Sequence, residues 1–182
     1  GSAISFGGYG SRLTAAFSDG ALQPDAGQPL ALEVRFKIDK YDAYGKSTAP
    51  LISLQQGYDA QLHIEQAKWT ATPSVRLGNN VTLSSTAWAS LVSTGVWHHL
   101  AMQWNGLDRS DLWIDGVRRA ETTLPQNSRR TGDWTLTLGN FLGEVDELRI
   151  SRTIRWQDNP GANSVISPPA AAWTVPTGTP VA

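Results

Sequence analysis

The clearest pattern in the chain is a strict alternation over residues 30–39. Leu30, Leu32, Val34, Phe36 and Ile38 fall on one face, and Glu33, Arg35, Lys37 and Asp39 on the other. A period of two places successive side chains on opposite faces of a strand, so this segment has one buried and one solvated face. Shorter segments of the same kind flank it. Ile4 and Phe6 precede a Gly7-Gly8-Tyr9-Gly10 turn, residues 13–17 read as a second strand, and residues 19–29 form a loop. Residues 51–54, 60–66 and 74–77 read as three further strands, the middle one setting Leu62 and Ile64 against Gln61, His63 and Glu65. That places His63 on the solvent-facing side. Gly78-Asn79-Asn80 is a turn, because Gly and Asn both tolerate a left-handed backbone. Residues 81–83 resume the strand pattern, and 84–94 form an irregular loop or a single helical turn carrying Trp88.

The second half repeats the theme with sharper punctuation. Residues 96–104 form a strand, and 111–114 return the chain after Asn105-Gly106. Asp115-Gly116 is a type I′ hairpin signal leading into 117–123. Residues 134–138 and 145–150 are linked through Gly139-Asn140 and Gly143. About a dozen short strands, with turn signals every 8–12 residues and no helical period, predict an all-β fold of two antiparallel sheets packed face to face. From residue 159 the composition turns to Pro, Ala, Ser, Thr and Gly, an extended tail or linker. Residues 3–158 are left as the sandwich. Gly1-Ser2 has the look of a cleaved-tag remnant, which would make the chain a piece of something longer.

Composition narrows the function classes. A chain of 182 residues suits one domain, and 40% hydrophobic content suffices for a packed core. A net charge of −1 gives no electrostatic basis for binding nucleic acid or an anionic membrane. No apolar run approaches the roughly 20 residues of a membrane-spanning helix. There is no cysteine, hence no disulfide or thiolate metal site. The eight tryptophans are the compositional oddity. Trp fills β cores or offers a flat stacking face, and position decides which. Trp97, Trp104, Trp113 and Trp134 lie in strand patterns and belong to the core or the sheet faces. Trp69 and Trp88 lie in polar, turn-rich stretches and are the candidates for exposed platforms, with capping of a sandwich end as the alternative. Trp156 is expected to pin the C-terminal segment to the body and Trp173 to lie in the tail. Tyr41 and Tyr44 sit in a polar loop and add ring faces with hydroxyls, unless that loop is simply a solvated connection.

Catalytic chemistry finds little support. His98-His99 are adjacent strand residues pointing to opposite faces, so the pair cannot chelate one ion. No Ser-His-Asp arrangement follows from spacing, and no Gly-rich phosphate loop opens a helix.

One stretch resembles a known family. Gly95-Val96-Trp97-His98-His99-Leu100-Ala101, Leu112-Trp113-Ile114-Asp115-Gly116, Leu138-Gly139-Asn140 and Gly143-Glu144-Val145-Asp146-Glu147-Leu148-Arg149-Ile150 occur in the order seen in laminin-G-like domains. Those domains are concanavalin A-like jelly rolls, and the resemblance extends over roughly residues 3–156. The run from Asp146 to Arg152, with Ile154-Arg155-Trp156 and Pro168-Pro169, is similar to copies in bacteriophage tail and virion proteins, and to relatives in bacterial surface proteins. The resemblance implies a two-sheet antiparallel jelly-roll sandwich that binds glycans or proteins at its rim, often with one Ca2+. By order along the chain, the ion would fall near Asn80 and Asp133. One amide and one carboxylate make a weak site for an ion that takes six to eight oxygens, and a turn Asn with a strand-start Asp is the alternative. Glucanases of this fold carry alternate acids as Glu-x-Asp-x-Glu. Here Glu144-Val145-Asp146-Glu147 is followed by Leu148 where the third acid belongs. Glu147 points away unless a bulge intervenes, while Asp146 shares a face with Leu148 and Ile150 as a partly buried anchor.

The expected function is therefore non-enzymatic recognition of a glycan or cell-surface polysaccharide. The module would belong to a phage appendage or bacterial surface protein, located extracellularly or on a virion. The proposed ligand contacts are Tyr41, Tyr44, Trp69, Trp88, Asn79 and Asn80. Alternatives are a ligand-free assembly module that oligomerises or packs on neighbouring domains, and an accessory domain of a carbohydrate-active enzyme. No cofactor is required, with Ca2+ as an optional ion.

Overall fold

A computed structural model describes residues 3–18, 29–41, 49–56, 59–66, 73–77, 80–105, 108–123 and 133–153. In chain order the elements are β1 (Ile4–Gly7), β2 (Arg12–Phe17), β3 (Leu30–Tyr41), β4 (Ala49–Gln56), β5 (Asp59–Gln66), β6 (Ser74–Leu77) and β7 (Asn80–Leu83). There follow α1 (Ser85–Leu91), β8 (Trp97–Trp104), β9 (Arg109–Ile114), β10 (Val117–Thr123), β11 (Trp134–Gly139) and β12 (Phe141–Ser151). Among the described residues they form two antiparallel six-stranded sheets. The first runs β1-β12-β3-β8-β9-β10 and the second β2-β11-β4-β5-β6-β7. This is the two-sheet antiparallel sandwich expected from the alternation, and the jelly roll that the resemblance implies.

The core lies between the sheets. Leu32, Val34 and Phe36 of β3, Leu100 and Met102 of β8 and Leu112 and Ile114 of β9 come from the first sheet. Facing them are Ile52 and Leu54 of β4, Leu62 and Ile64 of β5, Val75 and Leu77 of β6, and Leu136 and Leu138 of β11. Each set occupies every second position of its strand. Asp115 (φ +51) and Gly116 (φ +80) make the left-handed turn expected between β9 and β10.

The pattern misreads three places. Residues 84–94 hold a helix of seven residues, capped by the Ser84 hydroxyl, which accepts from the Ala87 amide. Glu33, predicted to be solvated, is only 4% exposed. It sits on a central strand, with His99 Nε2 at 3.9 Å and Arg149 Nη1 at 3.8 Å from its carboxylate. Asp146 does not share a face with Ile150. The pairing of β12 with β3 slips between Asp146↔Arg35 and Arg149↔Glu33, and Glu147 takes φ +52. This bulge resets the alternation, so Asp146 lies beside Arg35, and Ile150 returns to the core side opposite Leu32.

Two crossings tie the sheets together at one corner. The chain passes from β1 to β2 through residues 8–11, and from β11 to β12 through Asn140. Ser11 O accepts the Asn140 amide at 2.8 Å, and Gly8 N donates to Phe141 O at 3.2 Å. The Asn140 side chain accepts from Gly10 N at 3.1 Å and donates to Pro50 O at 2.8 Å. Asn140 itself is left-handed, at φ +59. Gly139 and Gly143 leave no room for a side chain: a Cβ on Gly139 would overlap Ser11 O, and one on Gly143 would overlap Lys37 O.

Gly143→Ala is therefore expected to cost about 1–3 kcal/mol or more, through backbone strain where β12 pairs with β3. Gly7→Ala, whose Cβ would meet nothing within 4 Å, should stay within about 0.5 kcal/mol of the parent. Urea denaturation of the two variants checks this, and equal effects would contradict it.

Candidate functional site

Two of the sequence-predicted contacts do meet. Tyr41 ends β3, Trp88 lies in α1, and the Trp88 indole Nε1 donates to the Tyr41 hydroxyl at 2.8 Å. The pair is internal. Trp88 is fully buried and stacks on Phe36 with centroids 6.0 Å apart and planes 19° apart. It cannot offer a face to a ligand, which corrects the platform assignment. The helix turns Trp88 inward over the end of the core, and Leu91 packs against the same cluster. Burial raises the Tyr41 pKa above its ordinary value, and the indole hydrogen bond opposes that rise. Tyr44, Trp69 and Asn79 lie outside the described residues, as does the side chain of Asn80.

Asn80 and Asp133 do not fit one calcium ion. Asn80 begins β7, the last strand of the second sheet, and exposed Asp133 precedes β11, the second strand of that sheet. Four strand spacings of about 4.8 Å separate them by roughly 19 Å. A calcium–oxygen bond spans only about 2.3–2.6 Å. Among the described residues, no three His, Asp or Glu side chains are grouped to hold a metal.

The two outer faces differ in chemistry. The first sheet's outer face is dense with charge that is largely matched internally. Lys37 lies 3.4 Å from Glu144, and Arg35 lies 3.7 Å from Glu147. Arg109 and Arg118 both hold Asp111, at 2.9 and 3.1 Å. Half-buried Trp97 lies under the cations of Arg35 and Lys37, at 5.5 and 5.7 Å from its ring. Trp113 packs on Ala101 on the same face.

The second sheet's outer face is mostly uncharged and hydrogen-bonding. Register places Thr14, Thr137, Ser53, His63 and Arg76 side by side across five strands, a row about 19 Å long at 4.8 Å per strand. Thr135 and Gln55 form the next row. Gln55 Nε2 is 3.3 Å from His63 Nδ1, while the Glu65 carboxylate lies 3.3 Å from both His63 Nε2 and Arg76 Nε. His63 is thus wedged among neighbours at 16% exposure rather than solvated, and Arg76 is 42% exposed at the row's end. Burial lowers the His63 pKa; Glu65 opposes this and Arg76 reinforces it. The sequence pattern placed His63 on an outward face, but nothing local in it marks five separate strands as one row.

The remaining chemistry is structural. His98 and His99 do diverge. The Ser93 amide donates to His98 Nε2 at 3.1 Å, which leaves Nδ1 to donate to Asp115 Oδ2 at 2.7 Å and clamp the hairpin. His99 is buried on the other face, where burial lowers its pKa, opposed by Asp115 and reinforced by Arg35. The acidic run forms no glucanase array: Glu144 and Glu147 each face a cation, and exposed Leu148 occupies the third position.

Residues 10–158 match the Laminin_G_3 model of the concanavalin A-like lectin/glucanases superfamily, and the chain belongs to that family. Solved structures share the fold at low identity. A heptameric pentraxin from Limulus polyphemus is 15% identical, with a TM-score of 0.53 over 83% of this chain and 76% of its own. Domain 4 of an extracellular arabinanase from Geobacillus stearothermophilus, solved with arabinotriose, is 17% identical, with a TM-score of 0.50 over 81% of this chain and 84% of its own. A Trypanosoma rangeli sialidase is 14% identical, with a TM-score of 0.54 over 83% of this chain, which spans only 25% of that enzyme. Comparison with curated protein sequences gives no match.

Tyr41→Phe strands a buried indole N–H, and an expected loss of about 1–3 kcal/mol should be read by thermal or urea unfolding; an unchanged midpoint would contradict the pairing. The histidines set a pH dependence. The folded His99 and His63 titrate below the ordinary value of about 6.5, so the unfolded chain takes up protons first as pH falls. Their contribution is complete above about pH 6.5 and is lost on acidification through the lowered folded values. His99→Gln should flatten the urea midpoint against pH between 7 and 5; an unaltered slope would remove His99 as a cause.

Proposed function

We propose that the domain is a non-catalytic module that recognises a glycan on the outer face of its second sheet. The observation carrying this reading is the row Thr14–Thr137–Ser53–His63–Arg76, with Thr135 and Gln55 beside it. Hydroxyl, amide and imidazole groups on several strands suit a neutral polyhydroxylated chain, because each can give and accept hydrogen bonds. Ser53 is buried and Glu65 holds His63 and Arg76 at 3.3 Å, so the groups of this face that a ligand can reach are Thr14, Thr137, Thr135, Gln55 and the exposed part of Arg76. The opposite face has spent its polar groups on ion pairs. Family membership supports the same class, and the arabinotriose complex of a similarly folded domain is a precedent for an oligosaccharide ligand. Trp69 follows β5 in sequence and stays a proposed stacking residue. The setting we propose is a phage appendage or bacterial surface protein, with the domain extracellular or on a virion.

A glycan array followed by calorimetric titration tests the reading. Arg76→Ala and Gln55→Ala should each weaken a bound oligosaccharide about tenfold, the equivalent of one good polar contact. Trp97→Ala, on the other face, should leave affinity unaltered. Binding should survive EDTA, and the recovered glycan should be uncleaved. No binding at millimolar concentration would overturn the proposal in favour of an assembly module, and shortened products would overturn its non-catalytic part.

A further inference from the structure

One part of the first sheet's outer face is as buried as the core. Register sets its outward residues in rows, Ser151–Ala31–Gln103–Asp111 and then Arg149–Glu33–Ala101–Trp113. Ala31 is 1% exposed, Gln103 3%, Ala101 0% and Trp113 2%. Ion partners enclose Glu33 and Asp111, but they do not account for Trp113. An indole carries about 150–250 Å2 of surface, and the neighbour across the strand, Ala101, has only a methyl group to cover it. Flanking side chains hide the ring's sides, whereas its top needs something lying over the face. On the second sheet, outward Thr135, Thr137 and Gln55 all keep partial exposure.

Among the described residues no element lies over these rows. The helix α1 packs at the end of the core, and every other element is a strand of one of the two sheets. The burial is that of a single chain, so a second copy is not the cover. The remaining segments differ in where they can go. Residues 57–58, 67–72 and 78–79 join strands of the second sheet, and 106–107 is a two-residue link from β8 to β9. Residues 19–28, 42–48 and 124–132 are held at both ends and have to cross from one sheet to the other. Residues 154–182 follow β12 and are joined to a described strand at one end only. They leave beside Ser151, in the first of the two buried rows. Burial fades away from that exit: Trp97, Lys37 and Glu144 are half-buried and Asp115 is exposed.

We propose that residues 154–169 lie as an extended strap across this face, with Trp156 seated on Ala31 and Ala101 against Trp113. Five residues separate Ser151 from Trp156, an extended reach of about 17 Å, while β8 lies two strand spacings, about 10 Å, from β12. The composition suits a strap. Pro160, Pro168 and Pro169 have no backbone N–H, so the segment can rest on side chains without a ladder of partners. Ala162, Val165 and Ile166 add small apolar groups for an apolar shelf. The strap lies on the face opposite the proposed glycan row and stands without it.

The chain has no cysteine, so a nitroxide attached through Ser164→Cys labels one position of the full-length protein. Amides of Ala31, Ala101, Gln103 and Trp113 should broaden severalfold more than those of Ser53, Gln55 and Thr137, whose sheet lies about 10 Å further off. Equal broadening on both faces, as from a trailing tail, would overturn the proposal. So would no broadening at those four residues, which would assign the cover to another segment. A neutral gadolinium chelate gives a second reading. It should leave the Ala31 and Ala101 methyls of the parent sharp and broaden them in Trp156→Ala, with the core Leu100 methyls sharp in both. Equal protection in both proteins would overturn the seat given to Trp156. The nitroxide measurement keeps Trp156 and so stands even if that variant folds poorly.

Discussion

Everything else in this fold depends on two chain crossings sharing one corner. β1 and β12 belong to one sheet, β2 and β11 to the other, and the links between them are hydrogen-bonded to each other through Ser11, Gly8, Phe141 and Asn140. Asn140 does most of this work. It takes the left-handed backbone that turns the chain, and its amide side chain ties Gly10 to Pro50. The missing side chain of Gly139 lets Ser11 approach, and that of Gly143 lets β12 close on β3. With this corner set, the two sheets align their apolar faces, and the hydrophobic effect supplies the main favourable term.

The same geometry assigns the outer faces different tasks. β3 and β12 bring acids and bases into register on the first sheet, and these largely neutralise one another around Glu33, Arg35 and Lys37. Pairs of this kind leave few polar groups for a ligand. The second sheet aligns Thr14, Thr137, Thr135 and Gln55, whose hydrogen-bonding groups take no part in charge pairing. A sandwich with one self-satisfied face and one receptive face is a physical basis for one-sided recognition. The edge at β1 and β2 is a third environment, because Ile4 and Leu13 point toward the inter-sheet space yet stay exposed.

Much of the scaffold is legible in the sequence, because a period of two is a direct consequence of the pleat. The alternation at Leu30 to Ile38, the Asp115-Gly116 turn and the divergence of His98 and His99 all follow from local rules. What local rules miss is set by distant neighbours. Glu33 reads as solvated until central-strand neighbours enclose it. Asp146 reads as facing Ile150 until a bulge, invisible in an acidic run, resets the face. Trp88 reads as a loop aromatic because the helix carrying it is seven residues long, and only the packing against Phe36 shows it to be core. The candidate site suffers most. Its row draws one residue from each of five strands, and sheet order, which also separates Asn80 from Asp133, is not written in any one segment.

Amide chemical-shift mapping with an oligosaccharide that binds tests most directly whether the second sheet's outer face reads the ligand. Perturbations concentrated at Thr14, Ser53, Gln55, His63, Arg76 and Thr137, with Arg35, Trp97 and Glu144 unmoved, are the predicted result. Perturbations confined to the first sheet's outer face would contradict it.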